Sequence, residues 1–363
     1  MRRPSIVLAA VLCALVTGCS EQPSPVDDDA KVTISSRVTA AGRPVSEARV
    51  SLQSSGSVSD LVQALPGVSL VCLLGDCEAR PDRELRSGSD GGLSISTNGR
   101  HTKTTGGGAR WLSLTAADPD EPADARTGGA ATLAFQVLSE KVDLPPLSLW
   151  RTPLRIDLAA GVVTFQPPPV AADVELLITD AQGNLVEQRA GSSTRARFDP
   201  RLLEDLPVEV TLVATREVGG VTQVWRSPVV DARGTRRPLT RGLPCGAEGP
   251  CALTDGRLAL HEAKVASCAD VPEGAETCAL GDRRVLDLGT ARPLQLVVVR
   301  GLAAVITVEA SVDGKAWIRL APDDTGPPER MRDVVVQRRK PGAGPVRYLR
   351  VESTSSLAEV SAW

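Results

Sequence analysis

An all-β fold, built as tandem β-sandwich modules, is what this sequence predicts, and three observations carry the prediction. Apolar and polar residues alternate in short runs, as at Val32, Ile34 and Val38, so each run has one apolar face at the period of a strand. Such runs recur about every ten residues between turn signals such as Gln182-Gly183-Asn184 and Gly219-Gly220. Gly 32 and Pro 27 favour turns over long helices. With 363 residues, 42% of them hydrophobic, the chain is too long for one ordinary domain and apolar enough for several cores. Lys+Arg 41 against Asp+Glu 44 gives a net charge of -3, which argues against a nucleic-acid partner. Five Trp, three Phe and one Tyr leave few rings on which a ligand could stack.

Residues 1–18 read as a signal peptide. Arg2 and Arg3 precede an apolar run, Ile6 to Leu15, far shorter than the roughly 20 residues of a membrane span. The run leads into Val16-Thr17-Gly18-Cys19, which resembles the bacterial lipobox. That resemblance implies cleavage before Cys19 and acylation of it, so that the lipid bilayer is a partner through Cys19. Ser20, where the inner-membrane retention signal would be Asp, implies the outer membrane. Residues 19–30 form the lipidated end and a flexible acidic linker, in which Asp27 to Asp29 are expected to be a solvated charge run.

Cysteine usage agrees with export. Setting aside Cys13 and Cys19 leaves Cys72, Cys77, Cys245, Cys251, Cys268 and Cys278, an even set suited to disulfides in an oxidising compartment. Fifteen connectivities are open, and the close spacings favour Cys72–Cys77, Cys245–Cys251 and Cys268–Cys278. Zinc is disfavoured, because no Cys-x2-Cys occurs and the histidines are His101 and His261.

Residues 31–150 make the first module. The string 32–52, with its Ala41-Gly42-Arg43-Pro44 turn, and the later Ser89-Asp90-Gly91-Gly92-Leu93-Ser94-Ile95 resemble the carboxypeptidase regulatory-like domain. That family implies an Ig- or transthyretin-like sandwich without peptidase activity. Ser36 stands where Gly is common, and 53–86 is an insertion. The stretch Asp118 to Asp124 is expected to be a solvated acidic loop. Residues 151–240 carry short strands from Leu154 to Arg226, and Phe165 before Pro167-Pro168-Pro169, with Trp225-Arg226-Ser227, resembles a fibronectin type III domain lacking its usual tyrosines.

Residues 241–363 contain Val285-Leu-Asp287-Leu-Gly289, Leu294 to Gly301, Val308-Glu-Ala-Ser311-Val-Asp313-Gly314-Lys-Ala-Trp317, Val346-Arg347-Tyr348-Leu349-Arg350-Val351 and Ala358 to Trp363. In this order they resemble the discoidin, or coagulation factor 5/8 type C, domain, a galactose-binding-like jelly roll. Asp313-Gly314 is expected to make a tight turn and Trp317 to fill the core. Asp255-Gly256 resembles a turn lying near structural calcium in some members of that family, but no further ligand can be placed, so calcium stays unassigned. Arg338-Arg339-Lys340 is expected to be a solvated loop.

No His-Glu-x-x-His, Gly-x-Ser-x-Gly or phosphate-binding glycine loop occurs, and His101 and His261 have no nucleophile to serve, so the sequence predicts neither an enzyme nor a cofactor. The expected role is a non-catalytic outer-membrane lipoprotein whose 241–363 module binds a glycan or other extracellular ligand through its end loops. The alternative is an assembly protein whose sandwiches dock to an envelope protein complex.

Overall fold

The computed structural model describes residues 24–55, 83–103, 107–119, 129–180, 185–203, 205, 207–244, 252–256, 282–302, 306–323, 329–331, 334–342, 344–353 and 357–363. All eight cysteines, Cys19 among them, and His261 lie outside that set. The described chain is all-β, as its sequence predicts, with three single-turn 3-10 segments. It divides into two compact units, one of residues 1–151 with 215–225 and the other of residues 152–214 with 226–363.

In the first unit the strand Lys31–Ala40 pairs antiparallel with Gly92–Asn98, placing Ile34 opposite Ile95, and parallel with Lys141–Asp143 and Leu147–Leu149. Ala41 and Gly42, both at positive φ, turn it back into Arg43–Pro44, the geometry that matches the twist of a hairpin. A second sheet runs from Arg83–Arg86 through Arg49–Ser55, Trp111–Ala117 and Ala130–Gln136 to Val221–Arg226. Val32, Ile34, Ile95, Leu114, Leu133 and Leu147 are fully buried between the layers. Gly91 is obligatory in this unit: its φ is +74°, and a Cβ there would stand 2.5 Å from the Val38 carbonyl oxygen. Asp118 is not solvated as expected. It is buried and accepts Arg151 Nε and Nη2 at 2.5 and 2.7 Å, because an ion pair with two parallel bonds can offset the loss of water around a carboxylate.

The second unit opens with a small sheet of Arg155–Asp157, Val162–Thr164 and Arg195–Arg197. Opposite it, Asp173–Asp180 lies between Leu185–Ala190 and the start of Pro207–Val218, and Val230–Arg233 pairs with Pro207 to Val210. Leu176, Ile178, Leu202, Val210 and Leu212 fill this part. Trp225, which its motif assigns to the second module, lies in the segment 215–225 that belongs to the first unit.

Residues 282–362 form a two-layer sandwich whose chain crosses repeatedly between sheets. One sheet runs Asp282–Pro293, Pro345–Ser353, Ile306–Ser311, Ile318–Arg319; the other runs Ala321–Pro322, Val334–Lys340, Val297–Leu302, Leu357–Ala362, with Glu329–Met331 also on Val334–Lys340. Leu286, Val308, Leu349 and Val351 from the first meet Val297, Val299, Val360 and Ala362 from the second. Arg338-Arg339-Lys340 is therefore in a strand, not in the loop expected of it. Cross-strand pairing with Val297 and Val298 fixes Arg339 and Arg338 on opposite faces of the sheet.

Candidate functional site

The outer face of the first of these two sheets gathers aromatic and charged side chains. Strand Ile306–Ser311 ends at Ser311, and the chain turns through Val312-Asp313-Gly314. Asp313 Oδ1 accepts the backbone N–H groups of Lys315 and Ala316 at 2.8 and 3.0 Å and the Ser311 hydroxyl at 3.0 Å, while Ser311 Oγ accepts Gly314 N–H at 2.9 Å. These donors, the backbone amides first, hold the Asp313 carboxyl below the usual carboxylate range. Gly314, at φ +74°, lies against the Tyr348 ring, 3.5 Å from the place a Cβ would take.

The turn delivers Trp317 to the outer face. It is half-buried, not the core filler expected from its motif, because one ring face is covered by the Arg350 guanidinium at 4.3 Å and not by the sandwich interior. Arg350 Nε donates to Glu309 Oε2, its register partner on the next strand. One row along, Tyr348 stands between Asp287 and Ser311. Arg347 lies 4.8 Å from the Tyr348 ring centre and donates Nε and Nη2 to the two Asp287 oxygens, each at 3.0 Å. Asp287 also accepts Gly289 N–H at 2.8 Å, and the Arg347 guanidinium above all keeps its carboxyl below the ordinary range.

Each ring thus carries a guanidinium, and each guanidinium is held by a carboxylate. Such a face presents fixed donors and acceptors beside apolar ring surface, the complement of a ligand with adjacent hydroxyls and C–H groups. Exposed Ile318 and Val312, 73% and 51% accessible, border it. The sequence pattern places Tyr348 and Arg350 outward on one strand. It misses Arg347, Asp287 and Glu309 as a set, because only strand register joins them.

Other expected sites fare differently. Asp27, Asp28 and Asp29 are exposed, with Asp28 bound to Lys103 Nζ at 2.6 Å. Asp255 is exposed, and among the described residues no group of three or more His, Cys, Asp or Glu could hold a metal ion. His101 is exposed in the single turn Gly99–Thr102. Within 282–363, residues 303–305, 324–328, 332–333, 343 and 354–356 lie outside the described residues. Among the described residues no helix is long and apolar enough to cross a membrane.

No family model matches the chain, and no curated protein matches it. Among solved structures it is similar to CpGH89CBM32-6 of Clostridium perfringens, with 15% identity over 33% of this chain and 90% of that one, at a TM-score of 0.23. CpGH89CBM32-4 of the same organism gives 14% identity over 34% and 97%, at a TM-score of 0.23. CBM32-1 from a family 31 glycoside hydrolase of Clostridium perfringens gives 14% identity over 34% and 88%, at a TM-score of 0.22.

Proposed function

We propose that this chain is a non-catalytic, lipid-anchored protein of the bacterial outer membrane that binds a glycan through its C-terminal sandwich. The observation that carries the reading is the paired arrangement of Trp317 under Arg350 and Tyr348 under Arg347, on a sheet face that solvent reaches. The rings offer apolar surface to sugar C–H groups, and Asp287 and Glu309 accept hydroxyls while their arginines donate to ring and hydroxyl oxygens. The anchor reading rests on Val16-Thr17-Gly18-Cys19 and on the acidic linker after it.

A glycan panel applied to the full chain in detergent micelles tests the binding. Saturable binding is expected, weakened at least tenfold by Trp317→Ala and Tyr348→Ala together; equal binding by the double variant sinks the assignment of the site. Cys19→Ala is expected to remove acylation and release the chain from membranes. The exposed Ile318 and Val312 favour a second reading, docking to an envelope protein. Crosslinking in intact membranes from position 318, with a silent glycan panel, would decide for it.

A further inference from the structure

A cavity with charged groups at its wall lies in the second unit, lined by residues far in sequence from the ring-bearing face. Its volume is about 600 Å³, the size of sites that take small ligands. Three segments line it: Leu158 and Ala159 after the strand Arg155–Asp157, Asp199 to Arg201 with Leu203, and Arg233 to Arg236 at the end of the strand Val230–Arg233. Leu158 and Pro200, both half-buried, supply apolar surface.

The charged groups are unequal. Arg201 is committed to Asp199, giving Nε to Oδ1 at 2.9 Å and Nη2 to Oδ2 at 2.6 Å, with its own backbone N–H on the same carboxylate at 3.0 Å. That pair is neutral overall and holds the cavity in shape. Arg233 spends only Nε, donated to the Asp205 carbonyl at 3.0 Å, which fixes the plane of its guanidinium. Its two terminal nitrogens, and the whole guanidinium of exposed Arg236, have no hydrogen-bond partner among the described residues. Among the described residues, three guanidiniums and one carboxylate therefore line the cavity, with one of the two spare forks already oriented.

We propose that this cavity binds a saccharide-sized ligand bearing an oxyanion, a uronate or a sugar phosphate, with the oxyanion on Arg233 and Arg236 and the carbon body against Leu158 and Pro200. A guanidinium fork matches the two oxygens of a carboxylate or phosphate and binds them through parallel charge-assisted bonds. Two forks on one oxyanion favour it strongly over a neutral hydroxyl. The apolar surface gives affinity that a bare inorganic ion cannot use.

Titration calorimetry on the full chain tests the site, with trigalacturonate, glucose 6-phosphate, inorganic phosphate and neutral galactotriose as probes. One or both of the first two are expected to bind, inorganic phosphate at least tenfold more weakly, and galactotriose not to bind at this cavity. The better binder names the oxyanion. Arg233→Ala with Arg236→Ala is expected to weaken the anionic saccharide at least tenfold with the unfolding midpoint unchanged, since both side chains are exposed. Arg236→Gln alone, which retains shape and loses charge, is expected to lie between. Trp317→Ala is expected to leave this binding intact, so the two sites fail or stand separately. Affinity that survives in the double variant, or no response to either anionic saccharide, overturns the proposal.

Discussion

The two outer faces of the C-terminal sandwich use the same residue types and put them to opposite ends. On the first sheet Arg347 meets Asp287, with both side chains more than two-fifths exposed. On the second sheet Val298, Arg300, Arg338, Glu359 and Ser361 share the face turned away from the core, where register sets Val298 beside Arg338 and Ser361 and Arg300 beside Glu359. Val298, Arg300, Glu359 and Ser361 are all buried, and Arg338 reaches Glu187 on the strand Leu185–Ala190 at 2.8 Å, where Glu187 is fully buried and also takes Arg189 Nε at 2.7 Å. The difference is water. A carboxylate in solvent can exchange its arginine for a ligand hydroxyl at small cost, whereas one out of solvent is locked to its partner by the cost of leaving either charge alone.

The sharpest way to break the contrast is to remove one arginine from each face. Arg338→Ala is expected to cost about 3 kcal/mol of unfolding free energy at pH 8, because it takes one of two cations from a buried carboxylate. Arg347→Ala is expected to leave the denaturation midpoint nearly where it was. Urea titration of both variants measures the pair, and equal effects would refute the contrast.

The same carboxylate predicts a pH effect of similar size. Burial pushes Glu187 up to about 7, outweighing Arg189 and the Asp199 backbone N–H that favour its charge, with Arg338 also against it, Arg201 nearby and the Asp199 carboxylate opposing. A carboxyl raised in the folded state is fully compatible with folding below the unfolded value of 4.5. Between pH 4.5 and about 7 the unfolded chain gives up a proton that the folded chain keeps, so stability falls as pH rises through that window. The whole loss from this group is up to about 3 kcal/mol, at roughly 1.4 kcal/mol per pH unit. Glu187→Gln cannot ionise, so its stability curve should be flatter over the window; an unchanged slope would assign the effect elsewhere. The cost of Arg338→Ala should shrink at pH 5, where Glu187 holds a proton.

How much of this was legible in the sequence depends on the range of the interaction. Alternation in Arg347-Tyr348-Leu349-Arg350-Val351 correctly separates Leu349 and Val351, in the core, from Tyr348 and Arg350, outside it. The Ala41-Gly42 turn and the Asp313-Gly314 turn are likewise local chemistry, and the backbone adopts them. Trp317 is different. Its motif gives the turn but not the environment, which is set by Arg350 from a strand far along the chain. The charged neighbours of Arg338 predict a loop, whereas its partner comes from a strand of the module before. A signal was present there: Val297-Val298-Val299 is a continuous apolar run, the pattern of a strand covered on both faces. The Arg233-Gly-Thr-Arg-Arg run gives a charge cluster in sequence, and only the fold brings Leu203 and Pro200 beside it.

Two smaller effects sharpen the exposed half of the contrast. Trp317→Phe is expected to weaken glycan binding several-fold, less than Trp317→Ala, since a smaller ring keeps the stacking mode and loses area; indifference to ring size would mean that the ring is a support for Arg350 and not a contact. The smallest effect is expected from Asp287→Asn. Its carboxyl is held low by Arg347, so its contribution is complete above the unfolded value of 3.8 and is lost as pH falls through the lower folded one. At neutral pH the exposed pair adds little to stability, so the variant should unfold at nearly the wild-type midpoint. Binding should respond more than folding, because Asn still accepts at one oxygen but no longer fixes the Arg347 plane over Tyr348. A variant that lost stability and kept glycan affinity would reverse the roles assigned to the two faces.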